Sequence, residues 1–345
     1  SATPKRMRYS FPKPNRLRDL AYPAVQWGVQ ILNRRRWRNI PAGMVKEVDL
    51  NGQILVSLGR PKIMADYLIA MDQAGVNLRF YPLLHDMFPL HGSAHPRQRM
   101  FSTNFVHDNS IVINHAERIL SNSAFTKAEI ERFSASDRLP LAPQVVAVPL
   151  CHEIRPTDEA VVQIGPTEPY LLSVGTMTGR KNLECILDAM MHLHEIHSPV
   201  PLLVLAGALR KRTEKYVKQS RFDPIRSRIH LILSPNQAEL RALYKNALAL
   251  VIPSRMEGWG LPLGEALWMG TPALSSTAPA LKEVGRDLAE YFDPDDPQAL
   301  AELIDRLQSD PEAYSALKLR LAAAKPELRS WKHVAQDILT VTGAV

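Results

Sequence analysis

The sequence predicts an α/β protein with a doubly wound parallel sheet, and three observations carry that prediction. Between residues 170 and 276, short apolar runs alternate with segments whose apolar residues recur at helical spacing. The runs are continuous, not alternating in polarity, as in strands buried on both faces of a parallel sheet. Gly and Pro occupy the short connections between them. Strand–helix alternation of this kind closes a sheet covered by helices on both faces, with ligands bound beyond the carboxyl ends of the strands.

In order, YLLSVGT (170–176) is the first strand of this domain, and the helical pattern follows through 182–197. PLLVLAG (201–207) and RIHLIL (228–233) are the next strands. QAELRALYKNA (237–247) is a helix, LALVIPS (248–254) a strand, GLPLGEALWMG (260–270) a helix and TPALSS (271–276) a fifth strand. In the first half, GQILVSL (52–58), NLRFYPLLHD (77–86), RILSNS (118–123) and QVVAVPL (144–150) read as strands, with helices near 62–74 and 98–116. The polar segment 151–169 is a linker, which divides the chain into domains 1–150 and 151–330. The closing stretch 331–345 carries Val334, Ile338 and Leu339 at helical spacing, so it is expected to pack against another element.

Composition excludes several classes. The two cysteines, Cys151 and Cys185, provide neither a disulfide framework nor a C-x-x-C pair. Apolar stretches such as PLLVLAGAL (201–209) fall well short of the ~20 residues that span a bilayer. No charged-then-apolar leader opens the sequence, so the expected location is the cytoplasm. The net charge of +7 is unevenly placed: residues 1–38 carry ten basic residues against one acid, Asp19, leaving the remainder at −2. Tyr9, Phe11, Tyr22, Trp27 and Trp37 lie among those cations. Such an arm suits an anionic membrane surface, or is simply solvated; no recognition motif accompanies it, so nucleic acid is not an expected partner.

The segment PSRMEGWGLPLGEALWMGTP (253–272) is the most informative for chemistry. Glu257-Gly258-Trp259-Gly260 forms the turn from a strand into a helix, where glycines permit unusual backbone angles and close approach to a ligand. The N–H groups opening that helix suit a phosphate or sugar hydroxyls. Glu265 lies about one and a half turns further on, so two carboxylates eight residues apart flank one elongated polar ligand. Alone, the same spacing also fits a helix-capping Glu257 and a solvated Glu265. A second segment, SVGTMTGRKNLECILDA (173–189), places Gly175, Gly179, Arg180 and Lys181 in a loop at the same sheet edge. Arg and Lys together suit a diphosphate, the one as a planar fork and the other as a point charge.

The E-x7-E pair Glu257/Glu265, the turn S-x-x-E-G-W-G-L-P, the loop VGTMTGRKN and the following TP-strand resemble retaining glycosyltransferases of the GT-B fold, family 4, and within it bacterial mannosyl- and rhamnosyltransferases. The resemblance spans about residues 75–345 and is strongest over 170–300. It implies two facing Rossmann-like domains, a nucleotide-sugar bound mainly by the second, and residues 331–345 as a helix crossing back to the first. It implies that Glu265 binds the ribose hydroxyls, and that Arg180 and Lys181 hold the diphosphate and stabilise the leaving group. Glu257 and the backbone of Gly258, Trp259, Gly260 and Leu261 would bind the donor sugar, and Leu233-Ser234-Pro235 would line the base. LLHDMFPL (83–90) resembles the family's H-D-x-x-P motif, which puts His85 near the donor sugar with Asp86 beside it on the acceptor side.

Two departures accompany the resemblance. Met177 stands where family members often carry Arg, the cations being Arg180-Lys181 instead, and the usual opening strand with its Gly-rich loop is missing, so the first domain is expected to be reduced or truncated at its N-terminus. No Asp-x-Asp occurs in a suitable loop, DPDD (293–296) reading as a turn, so neither metal nor other cofactor is expected. The expected function is transfer of a hexose, mannose from GDP-mannose being favoured, to a glycan or lipid-linked saccharide in surface polysaccharide synthesis. Alternatives are a rhamnosyl- or glucosyltransferase using dTDP- or UDP-sugar, a GT-B sugar-nucleotide epimerase, and a non-catalytic GT-B subunit that binds lipid or a partner.

Overall fold

A computed structural model of the chain describes residues 48–91, 96–158, 164–177, 179–209 and 211–344, together with Ile31. Apart from Ile31, the basic arm 1–38 lies outside the described residues. Two compact units divide the chain: the described residues up to Ile119 with Ile130–Val145, and Leu120–Glu129 with those from Val146 onward. The break falls at 145/146, against 150/151 from the sequence, and Leu120–Glu129 belongs to the second unit.

The first part of the chain runs β1 (Ile54–Ser57), α1 (Pro61–Gln73), β2 (Arg79–Leu84), a 3-10 turn (Phe88–Leu90), α2 (Pro96–His115), β3 (Ile119–Ser121), α3 (Ala124–Ala135) and β4 (Val145–Ala147). The strands form one sheet in the order β1-β2-β3-β4, with β1 and β2 parallel. Pro61 opens α1, where its fixed φ suits the first helical position and no intrahelical donor is lost. Met64 and Leu68 of α1 pack with Phe80, Leu84, Ile113 and Phe133 in the core of this unit.

The second part runs β5 (Tyr170–Val174), α4 (Leu183–Glu195), β6 (Leu202–Gly207), α5 (Lys211–Val217), a 3-10 segment (Ser220–Arg228), β7 (Ile229–Leu233), α6 (Gln237–Asn246), β8 (Ala249–Ile252), α7 (Leu261–Trp268), β9 (Ala273–Ser276), α8 (Pro279–Gly285), β10 (Glu290–Phe292), α9 (Pro297–Ser309), α10 (Pro311–Ala324) and, after a short turn, α11 (Trp331–Thr342). Its sheet has six strands in the order β10-β9-β8-β5-β6-β7. Every neighbouring pair is parallel. The chain starts at the centre with β5, winds outward through β6 and β7, then returns to the other side through β8, β9 and β10. The strand order therefore reverses between β5 and β8, the point at which an open α/β sheet leaves a crevice for ligands. Leu171, Leu203, Leu205, Val251 and Leu274 meet Ile186, Leu187 and Met190 of α4 and Leu300 and Ile304 of α9 in one continuous core.

Three helix starts in this part carry side-chain caps. Asn236 and Glu239 form a reciprocal capping box on α6, and Asp296 and Asp310 cap α9 and α10. The linker is anchored by Arg329, whose carbonyl accepts the N–H of His152 at 2.8 Å. Glu153 Oε2 accepts the first N–H of α11, from Trp331, at 2.8 Å. Within α11, Val334 is buried, Ile338 half-buried and Leu339 exposed. Among the described residues no helix is long and apolar enough to cross a membrane.

Candidate active site

The ends of the three strands leading away from the switch point are laced together by backbone. The N–H of Gly175, just after β5, donates to Ala206 O at 2.9 Å, and that of Ser234, just after β7, to Gly207 O at 2.8 Å. Gly207 holds φ +135°, and a Cβ there would lie 2.6 Å from the Gly175 carbonyl oxygen. Only glycine fits so close a backbone approach. Ser234 takes a left-handed φ of 48°. Sequence reasoning singled out Gly175 and Ser234 but not Gly207, although the Gly ending an apolar run at a sheet edge was the available signal.

Across the switch point the loops after β5 and β8 share one ionic cluster. Gly179, Arg180 and Lys181 form a short 3-10 turn. Arg180 Nη1 donates to Glu257 Oε2 at 2.7 Å and to the Met256 carbonyl at 2.7 Å. Lys181 Nζ donates to Glu257 Oε1 at 2.6 Å. Glu257 is only 5% exposed. Burial pushes its carboxyl upward, but the Lys181 ammonium and the Arg180 guanidinium outweigh that and hold it below its ordinary value. Glu257 is therefore an ionised buried acid and no helix cap; Gly260 is the N-cap of α7, and no side chain caps it. Asn182 locks the two loops together. Its Nδ2 donates to Pro253 O at 3.1 Å and to Pro294 O at 2.7 Å, its Oδ1 accepts from Arg255, and the N–H of Arg255 returns to Arg180 O at 2.9 Å. The R-K-N run was legible, but the clamp made by its Asn was not.

The turn into α7 is shaped by packing. Gly260 adopts φ +106°, and a Cβ would come within 2.3 Å of Leu281 Cδ2. Gly258 stays out of the left-handed region, so of the two glycines Gly260 alone needs that freedom. Trp259 is buried, and its indole N–H donates to Cys151 O at 3.3 Å. Gly258 O accepts from Thr126 Oγ1 at 3.3 Å. Leu261, the first residue of α7, is 39% exposed. Glu265, half-buried on α7, accepts the phenol O–H of Tyr244 on Oε2 at 2.8 Å. Burial pushes its carboxyl up, against the opposing pull of the Tyr244 bond and of Arg155. It is not a solvated surface acid.

Two features went unread in the sequence. Glu283 of α8 caps the start of α3, accepting the N–H of Ala124 at 2.8 Å and of Phe125 at 2.6 Å, which suits a negative charge at a helix N-terminus. His152 is 2% exposed and pairs Nε2 with Val284 O at 3.1 Å while Nδ1 accepts from the N–H of Arg329 at 3.1 Å. Desolvation lowers its pKa, so it is a neutral ring tying the linker to α8. In the first unit, His85 and Asp86 directly follow β2, and His85 Nε2 lies 3.1 Å from Leu58 O.

A buried carboxylate that orients two cations at the switch point, with a second carboxylate one helix turn away from the loop, suits a ligand with a diphosphate and a diol. Sucrose-phosphate synthase from Thermosynechococcus elongatus superposes with a TM-score of 0.67 at 17% identity, covering 96% of this chain and 80% of that one. The fold is that of the GT-B glycosyltransferases. Within this GT-B chain, residues 154–322 match the family described as glycosyl transferases group 1. The O-antigen chain mannosyltransferase B of Escherichia coli is 28% identical over 255 residues, 67% of this chain and 61% of that protein. The O-antigen chain mannosyltransferase RfbU of Salmonella typhimurium is 28% identical over 155 residues, 45% of this chain and 42% of that protein. Each of these matches spans less than two thirds of the relative's own length.

Proposed function

We propose that this chain is a retaining hexosyltransferase that moves a sugar, mannose from GDP-mannose being favoured, onto a glycan or lipid-linked saccharide acceptor in surface polysaccharide synthesis. The observation that carries the proposal is the Arg180–Glu257–Lys181 cluster, which joins the two loops at the switch point. The cluster's formal charge is +1, on groups fixed before any ligand arrives. Charge fixed in advance is what a departing nucleoside diphosphate needs, because it requires no reorganisation as the anomeric bond breaks. Glu265 accepts the ribose hydroxyls, and the N-terminal turn of α7 receives the donor sugar. Two mannosyltransferases among the relatives support the choice of sugar.

In the proposed reaction the anomeric C–O bond breaks with oxocarbenium character, and the electron pair stays with the diphosphate facing Arg180 and Lys181. The acceptor oxygen bonds on the same face of the sugar, and its proton leaves with the phosphate. These cations supply the stabilisation, so no metal is invoked, and transfer should survive exhaustive treatment with EDTA. The arm 1–38, with its charge of +9, is proposed to dock on anionic lipid at the inner membrane face, each engaged cation contributing about 1 kcal/mol. Co-sedimentation with phosphatidylglycerol vesicles should fall at high salt and on deletion of 1–38; binding indifferent to both would remove the arm from the proposal.

The test of the function is a thermal-shift screen against GDP-mannose, UDP-glucose and dTDP-rhamnose, followed by nucleoside-diphosphate release. Stabilisation by GDP-mannose above the other two, with slow GDP release, is expected. No shift with any sugar-nucleotide would contradict the proposal, and a shift with UDP- or dTDP-sugar alone would reassign the donor.

A further inference from the structure

Two tyrosines, Tyr170 and Tyr244, are fully buried in the second unit, and their hydroxyls have different fates. Tyr170, at the start of β5, donates to the main-chain oxygen of Leu243 at 2.8 Å. A buried phenol satisfied by a carbonyl is the ordinary structural solution. Tyr244, on α6, instead sends its O–H to the carboxylate of Glu265 on α7 at 2.8 Å. The ring is wholly excluded from solvent, and Thr271 Oγ1 donates to the Tyr244 carbonyl at 2.7 Å, tying α6 to the approach to β9. Among the described residues, Tyr244 is the only hydrogen-bond donor recorded for that carboxylate. We propose that Tyr244 is a positioning residue for the nucleotide: its immobile phenol holds the Glu265 carboxylate, as hydrogen-bond acceptor, in the orientation in which it receives the ribose hydroxyls. The inference rests on the reading of Glu265 as the ribose ligand.

Physical consequences follow from a donor fixed on one carboxylate oxygen. A half-buried Glu has several rotamers, and losing the bond lets it leave the binding geometry, so affinity for a ribose diol falls. The same bond favours the ionised carboxylate, so its loss also moves the carboxyl's titration upward. Neither effect touches a ligand without the diol. Tyr170 provides the control, because removing its hydroxyl also deletes a buried phenol hydrogen bond, to the Leu243 carbonyl, but leaves Glu265 alone.

The experiment is calorimetry on the full chain with GDP and 2′,3′-dideoxy-GDP, UDP and its dideoxy analogue being run in parallel, using wild type, Tyr244→Phe, Tyr170→Phe and Glu265→Gln. Phe keeps the ring volume, and circular dichroism checks the fold of each variant. Tyr244→Phe should weaken the ribonucleotide about 10-fold, the loss of one bond to a charged group, and change the dideoxy ligand less than about 2-fold. Its donor KM should rise with kcat held, and the acid limb of its affinity profile should move to higher pH. Tyr170→Phe should show no such ribose dependence. If Tyr244→Phe weakens both ligands equally or neither, while Glu265→Gln remains ribose-selective, the positioning role is overturned and the donor reading stands. If Glu265→Gln is not ribose-selective, or wild type binds none of the nucleotides, the donor reading fails and this inference falls with it.

Discussion

Glu257 holds two cations on one carboxylate, one on each oxygen, and this sets the order in which substitutions should act. Glu257→Gln keeps the shape but removes the negative charge shared by Arg180 and Lys181, so the two cations are held less firmly in the catalytic orientation. Transfer should fall in kcat by roughly 100-fold, the scale seen when one preorganised electrostatic contact is lost. Glu265→Ala should act differently, raising donor KM roughly 10-fold with little change in kcat, because a ribose contact is present equally in ground and transition states. Steady-state kinetics separates the two; wild-type kinetics in both variants would make the pair structural. The eight-residue spacing of Glu257 and Glu265, and the adjacency of Arg180 and Lys181, were legible because each is local in sequence. Their convergence was not, because it depends on β5 and β8 being neighbours although 78 residues separate Leu172 from its β8 partner Leu250, with α4, β6 and β7 between them.

The strands that build the site were readable because they are continuous apolar runs ending in Gly or Pro. α4 and α6 were readable for their apolar residues at helical spacing. Elements outside that pattern went unread: α5 is a short polar KRTEKYV, β10 has only three residues, and α8 is a seven-residue helix entered through Pro279. Gly207 is the test of the strand edge. Gly207→Ala combines a left-handed φ with backbone contact at 2.6 Å, so the ends of β5 and β6 must part. A loss of about 2–4 kcal/mol is expected, read as a clear fall in Tm; an unchanged Tm would show that the edge is compliant. The linker carries a pH signature. His152 has a lowered pKa when folded, so the unfolded chain binds its proton more readily. Its contribution is therefore present above the unfolded value of about 6.5 and is lost as pH falls below it. The Tm difference between about pH 7.5 and about pH 5.5 should be smaller in His152→Gln than in wild type.

At the scale of the whole molecule, the sheet order places the chemistry more firmly than any single motif does. Six parallel strands wound outward from β5 on both sides leave one crevice edge, and Gly175, Arg180, Lys181, Ser234, Glu257 and Glu265 all follow strands at that edge or lie on the helix that continues from it. The doubly wound pattern was legible in the second half because its central strands β5, β6, β8 and β9 are buried on both faces. In the first half the strands and helices α1 and α2 were read, yet the sequence could not show that Leu120–Glu129 groups with the second unit, since that grouping depends on contacts such as Glu283 with Ala124 and Thr126 with Gly258. The central claim is that the cation pair at the switch point binds a nucleoside diphosphate. Calorimetric titration of GDP into the full chain and into the Arg180→Ala/Lys181→Ala variant tests it most directly. Saturable binding by wild type, weakened roughly 100-fold or more in a variant that remains folded, is the expected result, since two charge-assisted contacts are removed. Equal affinity in the two proteins would contradict it.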